Sequence, residues 1–142
     1  MGRVGKLYAV GGRTSGVLDE DSVEAYCPVR RVWERVPDMS AGRNHHGVTA
    51  VGGTVVAVGG RTGRVPNRTV ERFISQTGVW VPMADLPSPR YGHGVATLDG
   101  DLYVVGGKNA ARTDLSSVLR LDSQTGAWTE IAAMSAPRSS VA

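Results

Sequence analysis

The stretch LYVVGG at residues 102–107 decides the fold, because it occurs in three versions along this chain. The other two versions are LYAVGG at residues 7–12 and VVAVGG at residues 55–60. Each joins a short apolar run, typical of a buried strand, to a pair of glycines. The glycine pairs follow one another in steps of 48 and 47 residues. A period of this length is typical of a modular repeat, so the chain is predicted to build one unit three times.

Two further residue types keep the same period. Tryptophan recurs at Trp33, Trp80 and Trp128, and arginine recurs at Arg43, Arg90 and Arg138, again in steps of 47 or 48 residues. Because these positions are in phase with the glycine pairs, the repeats take up the whole chain. We predict repeats over approximately residues 1–47, 48–94 and 95–142, with no second domain.

The third repeat shows the unit most clearly. Residues 95–98 and 102–105 are apolar runs joined by a glycine-containing hairpin turn. Residues 117–121 alternate between polar and apolar, as a half-buried strand does, and the turn SQTG at residues 123–126 precedes a last strand. Four short strands joined by turns predict one antiparallel sheet for each repeat. The first repeat begins late, at its buried strand, so it is expected to lack the first of the four strands.

These features resemble the kelch repeat. The resemblance is carried by the glycine pair, the spaced tryptophan, the arginine after it and an aromatic residue in the third strand (Tyr26 and Phe73, with Leu121 in the third repeat). It covers the whole chain and implies that each repeat is one blade of a β-propeller. The chain is therefore expected to be all-β, with three four-stranded antiparallel kelch-type blades that form half of a six-bladed propeller or a fragment of a longer one. WD-type blades are shorter and carry a Trp-Asp signature that this chain lacks.

Three blades are too few to close a ring, because β-propellers have four to eight blades. An open arc would leave two apolar blade faces in water, at a cost on the order of 10 kcal/mol for several hundred Å². The chain is therefore predicted either to form a homodimer with six blades or to belong to a longer array. Residues 138–142 are predicted to start another first strand, and residues 139–141 to complete a blade of a neighbouring chain.

The composition limits the kinds of partner and compartment. The net charge is +3 and no run of five or more like charges occurs, so we predict no nucleic-acid binding. No apolar run is long enough to span a membrane, and no signal sequence precedes the first strand pattern. Cys27 is the single cysteine, so no intrachain disulfide is expected and a cytoplasmic location is favoured.

Several residue patterns suggest catalysis or a cofactor, but each is incomplete. The glycine pairs lack the spacing of a phosphate-binding loop and are expected to permit close backbone packing. The tryptophans are expected to pack between blades. His45 and His46 are adjacent on a presumed strand and face opposite sides, while only His46 and His93 share a register, which is too few for zinc. Cys27 has no activating residue beside it, and the copper ligands of kelch-type oxidases have no match. We predict no catalytic residue, no metal and no cofactor.

Cations recur at both ends of the repeated stretches. Arg13, Arg61 and Lys108 each follow a glycine pair, whereas Arg43, Arg90 and Arg138 each open a blade. The resemblance implies that both sets gather with His45 at one mouth of the propeller, where partners bind. Converging arginines can bind carboxylates in a bidentate way. For the second set an alternative remains, in which they hold the blades together through backbone carbonyls or carboxylates such as Glu24 and Glu71.

The sequence thus favours a non-catalytic binding scaffold, whose basic mouth binds an acidic protein segment or a small anionic ligand. One alternative is an enzyme, because bacterial kelch-like propellers include a sialic acid epimerase, whose ligand is also anionic. That alternative requires a carboxylic acid beside the arginines, and Asp19, Glu20 and Asp21 lie in a loop that could supply it. A third alternative is an inert structural fragment.

Overall fold

Residues 5–16 and 18–141 are described by a computed structural model, and within these ranges the chain forms three antiparallel sheets and one small hairpin, without helices. The first sheet contains β1 (Leu7–Arg13), β2 (Asp19–Cys27) and β3 (Val32–Val36). The second contains β4 (Gly47–Val51), β5 (Thr54–Val58), β8 (Val70–Ile74) and β9 (Val79–Pro82), with the hairpin β6 (Arg61–Thr62) and β7 (Val65–Pro66) between its middle strands. The third contains β10 (Gly94–Leu98), β11 (Asp101–Val105), β12 (Val118–Leu121) and β13 (Trp128–Ile131).

The second and third sheets are the four-stranded blades that the repeat predicts. Their strand orders are β4-β5-β8-β9 and β10-β11-β12-β13, so neighbouring strands follow one another along the chain apart from the hairpin. The first sheet has the order β1-β2-β3. Its β1 corresponds to β5, because Leu7 pairs with Tyr26 as Val55 pairs with Phe73. The predictions for residues 1–4 and for Ala142, at the ends of the first and third predicted repeats, lie outside the described residues. None of the described residues belongs to a helix able to span a membrane.

The turn before the last strand keeps its geometry even where its sequence changes. In the second blade, the Gly78 N–H donates to the carbonyl of Ile74 at 2.8 Å, and Gly78 has a φ of 68°. In the first blade, Arg31 stands at the glycine position with a φ of 55°, and its N–H donates to the carbonyl of Cys27 at 2.8 Å. The turn of the first repeat, which lacks the glycine, therefore keeps the same backbone conformation because a non-glycine residue adopts the left-handed region.

The buried core lies between neighbouring blades. Val56 and Val58 of β5 share one cluster with Leu102 and Val104 of β11, and all four side chains are at most 2% exposed. A second cluster joins the first and second blades around Val23, Met39 and Ala57. Each fully buried valine or leucine contributes about 1.5–3 kcal/mol relative to an exposed one. Packing of blade against blade therefore holds the three sheets in one unit.

The glycine pairs are needed because the backbone of the segments that precede β4 and β10 passes very close to them. A Cβ atom on Gly59 would lie 2.8 Å from the carbonyl oxygen of Arg90, and one on Gly60 would lie 2.6 Å from that of Asn44. Both glycines also have a positive φ, of 58° and 95°. The prediction that these pairs serve backbone packing is confirmed at this junction.

The tryptophans join each blade to the one before it. The indole N–H of Trp80 donates to the carbonyl of Pro37 at 2.8 Å, and that of Trp128 donates to the carbonyl of Ala84 at 2.8 Å. Both side chains are half-buried, less than the burial that the sequence predicts. For Trp33 the prediction is wrong, since 48% of this residue is exposed and no blade precedes it among the described residues.

Candidate functional site

Arg43 and Arg90 lie inside the blades, which removes them from the predicted binding rim. Arg43 is 1% exposed, and its guanidinium donates to the carbonyls of Gly59 and Thr69 at 3.2 and 3.1 Å. It also forms a buried ion pair with Glu71 at 3.2 Å. Arg90 is 3% exposed and donates to the carbonyl of Gly106 at 3.0 Å. Of the two alternatives that the sequence left open, the structural one accounts for these two side chains.

Arg138 behaves differently, because no blade follows it among the described residues. Its side chain is exposed, although its backbone N–H donates to the carbonyl of Leu115 at 3.1 Å and its carbonyl accepts from Gly107 at 2.9 Å. Residues 43–46, 90–93 and 138–141, which we call lead-in segments, thus make equivalent backbone contacts. Pairing of residues 139–141 with a neighbouring chain stays a prediction.

His46 and His93 connect neighbouring blades. Their Nε2 atoms lie 2.9 Å from the carbonyl oxygens of Val10 and Val58, which directly precede the glycine pairs of the preceding blades. Burial lowers the pKa of each imidazole to about 4, although the backbone hydrogen bond acts to raise it. Across residues 5–16 and 18–141, no three His, Cys, Asp or Glu side chains are grouped as metal ligands.

An open pocket of about 480 Å³ lies at the blade end that carries the glycine pairs. The hairpin β6–β7, the loop after β11 and the three lead-in segments supply its lining. The lining residues are His45, Arg61, Arg64, Tyr91, Gly92, Lys108, Arg112, Ser139 and Ser140. The structure therefore brings together three residues that the sequence predicts for the rim: Arg61, Lys108 and His45.

Arg61 and Tyr91 contact each other in the lining of this pocket. Backbone bridges join Arg61 to Asn44 and, one blade on, Lys108 to Tyr91, which shows that the two cations occupy equivalent positions. The Arg61 guanidinium lies 4.7 Å from the centre of the Tyr91 ring, a cation–π distance. Tyr91 is only 8% exposed, so it offers a fixed platform for this arginine.

The remaining cations of the pocket differ in how far they are neutralised. Lys108 is paired with Asp114 at 2.6 Å, and hydrogen bonds from Lys108 and Ser139 lower the pKa of that carboxyl. Arg64 and Arg112 are exposed, and no carboxylate of the described residues forms an ion pair with either. The pocket therefore carries uncompensated positive charge, located on arginines.

Arg13 lies outside the pocket lining, beside Asp19, with which it pairs in register between β1 and β2. The Asp19 carboxylate accepts hydrogen bonds from the side chain of Asn44 and the backbone N–H of Gly63. Burial acts to raise the pKa of Asp19, but these bonds and the charges of Arg13 and Arg61 lower it overall. Both carboxylate oxygens thus hold loops together, which is unsuited to the free acid that the epimerase alternative requires.

His45 faces the pocket and stays neutral near pH 7. Burial, followed by the charges of Arg61 and Arg13, lowers the pKa of its imidazole, while Asp19 acts in the opposite direction. Its Nδ1 lies against the Asn44 side-chain oxygen and 3.2 Å from Nη2 of Arg61. The residue is therefore fixed within a polar network at the edge of the pocket.

Three lining residues are not predicted from the sequence pattern: Arg64, Tyr91 and Arg112. Arg64 and Arg112 lie in loops that differ between repeats, so the period carries no signal for them. Tyr91 follows Arg90 as Asn44 follows Arg43, and that register could have identified it.

Comparisons with known proteins agree with the repeat architecture. A family model for the Kelch motif matches residues 5–40, 42–87 and 89–135. The chain is 40% identical over 62 residues to Kelch-like ECH-associated protein 1B of Danio rerio, and 41% identical over 59 residues to Kelch-like protein 8 of Caenorhabditis elegans. Each match covers 42% of this chain but only 11% and 9% of those proteins.

A solved structure titled "Structure of YjhT" resembles the fold, with a TM-score of 0.81 at 18% sequence identity. The resemblance covers 95% of this chain and 51% of that one, so this chain spans about half the length of that neighbour. At this identity the likeness shows the fold alone.

Proposed function

Since this chain belongs to the Kelch-repeat family, we propose that it is a non-catalytic binding scaffold whose basic pocket holds an acidic segment of a protein partner. The repeats and the Kelch-like relatives support a protein-interaction scaffold in general, and one of those relatives is named as ECH-associated. The acidic character of the partner is inferred from the pocket of this chain.

The unpaired arginines of the pocket carry this proposal. Arg61, Arg64 and Arg112 line one open space of about 480 Å³, and none of them forms an ion pair with a carboxylate of the described residues. A guanidinium is planar and binds carboxylates in a bidentate way, so three of them favour a ligand with more than one carboxylate. An extended acidic segment meets that requirement.

The setting of these arginines also suits a macromolecular partner. Arg64 and Arg112 lie on loops, which carry binding residues more often than the strands they connect. The pocket is open rather than enclosed, and Tyr91 with Arg61 forms an aromatic and cationic pair in its lining. Arginine and tyrosine are enriched among the residues that dominate binding energy at protein interfaces.

Reversing two pocket charges is expected to weaken binding of an acidic peptide. The probe is a fluorescently labelled octapeptide of alternating glutamate and glycine, followed by anisotropy at low salt. Arg64→Glu together with Arg112→Glu should weaken binding at least about tenfold, because attraction becomes repulsion at two exposed positions. The wild-type affinity should also fall as salt rises, since screening acts over about 10 Å at 0.1 M.

Arg72→Glu is the matched control, because Arg72 is exposed on β8 and does not line the pocket. It should change the affinity by less than about twofold, and all variants should keep their melting temperature. Equal weakening by the control, or no binding of the peptide by the wild type, would contradict the proposed function.

We also propose that two copies associate to continue the ring of blades. In the blade junctions within the chain, Trp80 and Trp128 each donate to a carbonyl of the preceding blade. On the first blade the equivalent Trp33 is 48% exposed, and Leu7 of β1 is 61% exposed. The outgoing side of the third blade repeats the backbone contacts of the other junctions up to Val141, so it offers the complementary surface.

Light scattering is expected to give twice the chain mass of 15.0 kDa for the wild type. Trp33→Glu should give the mass of one chain, because a carboxylate cannot be buried at this junction without a partner. Leu18→Glu is a control, since Leu18 is 75% exposed and a charge there meets water. A folded wild-type monomer at micromolar concentration would rule out this association.

A further inference from the structure

His45 differs chemically from the residues that stand at its position in the other lead-in segments. The equivalent residues are Gly92 and Ser140, and all three have a positive φ, of 52°, 64° and 55°. Backbone bonds link them, since Gly92 N–H donates to the His45 carbonyl at 2.9 Å and Ser140 N–H donates to the Gly92 carbonyl at 2.6 Å. His45 is thus the titratable member of three residues that line the same pocket.

The two ring nitrogens of His45 have different surroundings. Nδ1 lies against the side-chain oxygen of Asn44, an acceptor, and 3.2 Å from Nη2 of Arg61, a donor. Asn44 is itself held by the hydrogen bond from its side-chain N–H₂ to Asp19. Nε2 makes no hydrogen bond within the described part of the chain. Because the imidazolium carries a proton on both nitrogens, protonated His45 has a free Nε2–H donor whichever neutral tautomer it starts from.

We propose that His45 takes up a proton when an anion enters the basic pocket, so that the pocket binds anions more tightly as the pH falls. This inference rests on the proposed function of the same pocket. The bound anion supplies the acceptor and the negative charge that Nε2–H⁺ lacks in the free protein. The protonated ring adds a charge-assisted donor to the arginines that already face the ligand.

The groups around His45 determine the direction of the pH dependence. Arg61, Arg13 and Asp19 act directly on its charge, while Arg64, Lys108 and Arg112 line the same pocket. In the free protein burial and the arginines disfavour the imidazolium, so the pKa of His45 lies below 6.5. An anion offsets that repulsion and raises the pKa. Affinity therefore increases as the pH falls through the higher, anion-bound pKa, and becomes constant below the lower one.

The test uses inorganic sulfate, which stays a dianion throughout the pH range of interest. Calorimetry should give a dissociation constant about tenfold lower at pH 5 than at pH 8, which corresponds to a rise of about one unit in the His45 pKa. Proton uptake should appear as a dependence of the heat on the ionisation enthalpy of the buffer. NMR titration of the His45 ring should show its pKa rising when sulfate is added.

His45→Asn is the diagnostic variant, because asparagine tolerates a positive φ and does not titrate. Its sulfate affinity should change less than about twofold over the same pH range. The same pH dependence in wild type and variant, an unchanged ring pKa, or no sulfate binding at pH 5 would overturn the inference. If the acidic octapeptide still binds through Arg64 and Arg112, the proposed function stands without the proton coupling.

Discussion

Replacing Arg43 by methionine is expected to lower the free energy of unfolding by about 3–5 kcal/mol. The substitution leaves the Glu71 carboxylate in a site where it is 4% exposed and where backbone N–H of Ser40 is its remaining donor, at 3.2 Å. It also removes the side-chain donor to the Gly59 carbonyl and one of the two donors to the Thr69 carbonyl, which keeps the backbone N–H of Gly59 at 2.9 Å. Urea denaturation at neutral pH, with equal m-values for both proteins, measures the difference.

The third blade supplies a matched control for this prediction. Leu119 stands where the second blade has Glu71, so Arg90→Met removes hydrogen bonds but leaves no buried carboxylate. We expect a smaller loss from Arg90→Met, and recovery of part of the loss in the double variant Arg43→Met, Glu71→Leu. A loss below about 1 kcal/mol for Arg43→Met would mean that the ion pair contributes little beyond its own desolvation cost.

Acidification from pH 7 to pH 4 is expected to cost about 3 kcal/mol of stability for each of His46 and His93. Both imidazoles have a pKa of about 4 in the folded protein, against 6.5 for an exposed histidine. The unfolded chain therefore binds more protons between these values, so the contribution is complete above pH 6.5 and is lost as the pH falls toward 4. Burial is what disfavours the charged imidazolium, because Nε2–H can donate to the carbonyls of Val10 and Val58 in either protonation state.

Thermal or urea unfolding at a series of pH values tests this acid sensitivity. His46→Gln with His93→Gln should flatten the profile between pH 6.5 and 4.5, because glutamine keeps a donor but does not titrate in this range. Asp19, Asp101 and Asp114 have pKa values lowered below 3.8, so they change protonation at still lower pH. A wild-type profile as flat as that of the double variant would show that these histidines are not held neutral.

The local structure of each blade could be predicted from residue order alone. The alternation of polar and apolar residues, together with the turn residues, specifies short strands. A pair of glycines with positive φ marks the end of each buried run. The period of the sequence then predicts the same arrangement of strands and turns in each of the three repeats. Even Arg31, which departs from the pattern, adopts the backbone conformation of the glycine it replaces.

The candidate pocket could be predicted only where its residues recur. Arg61 and Lys108 occupy equivalent positions and were found by the period, whereas Arg64 and Arg112 lie in loops without equivalents. Loop residues carry no packing signal, because their side chains are in water in most of their conformations. Their convergence with Tyr91 depends on how two neighbouring blades are placed.

Repetition and local chemistry in the sequence determined the fold class, the strands and the end of each blade that carries the cations. Only the tertiary structure decided which of the identical residues at equivalent repeat positions are buried. Arg43 and Arg90 are buried within blades that follow them, whereas Arg138 is exposed, and Trp80 is covered where Trp33 is not. The physical reason is that these side chains are buried by contact with a neighbouring blade. A residue's depth, hydrogen-bond partners and pKa are set by the neighbouring blade, which the residue's own repeat does not encode.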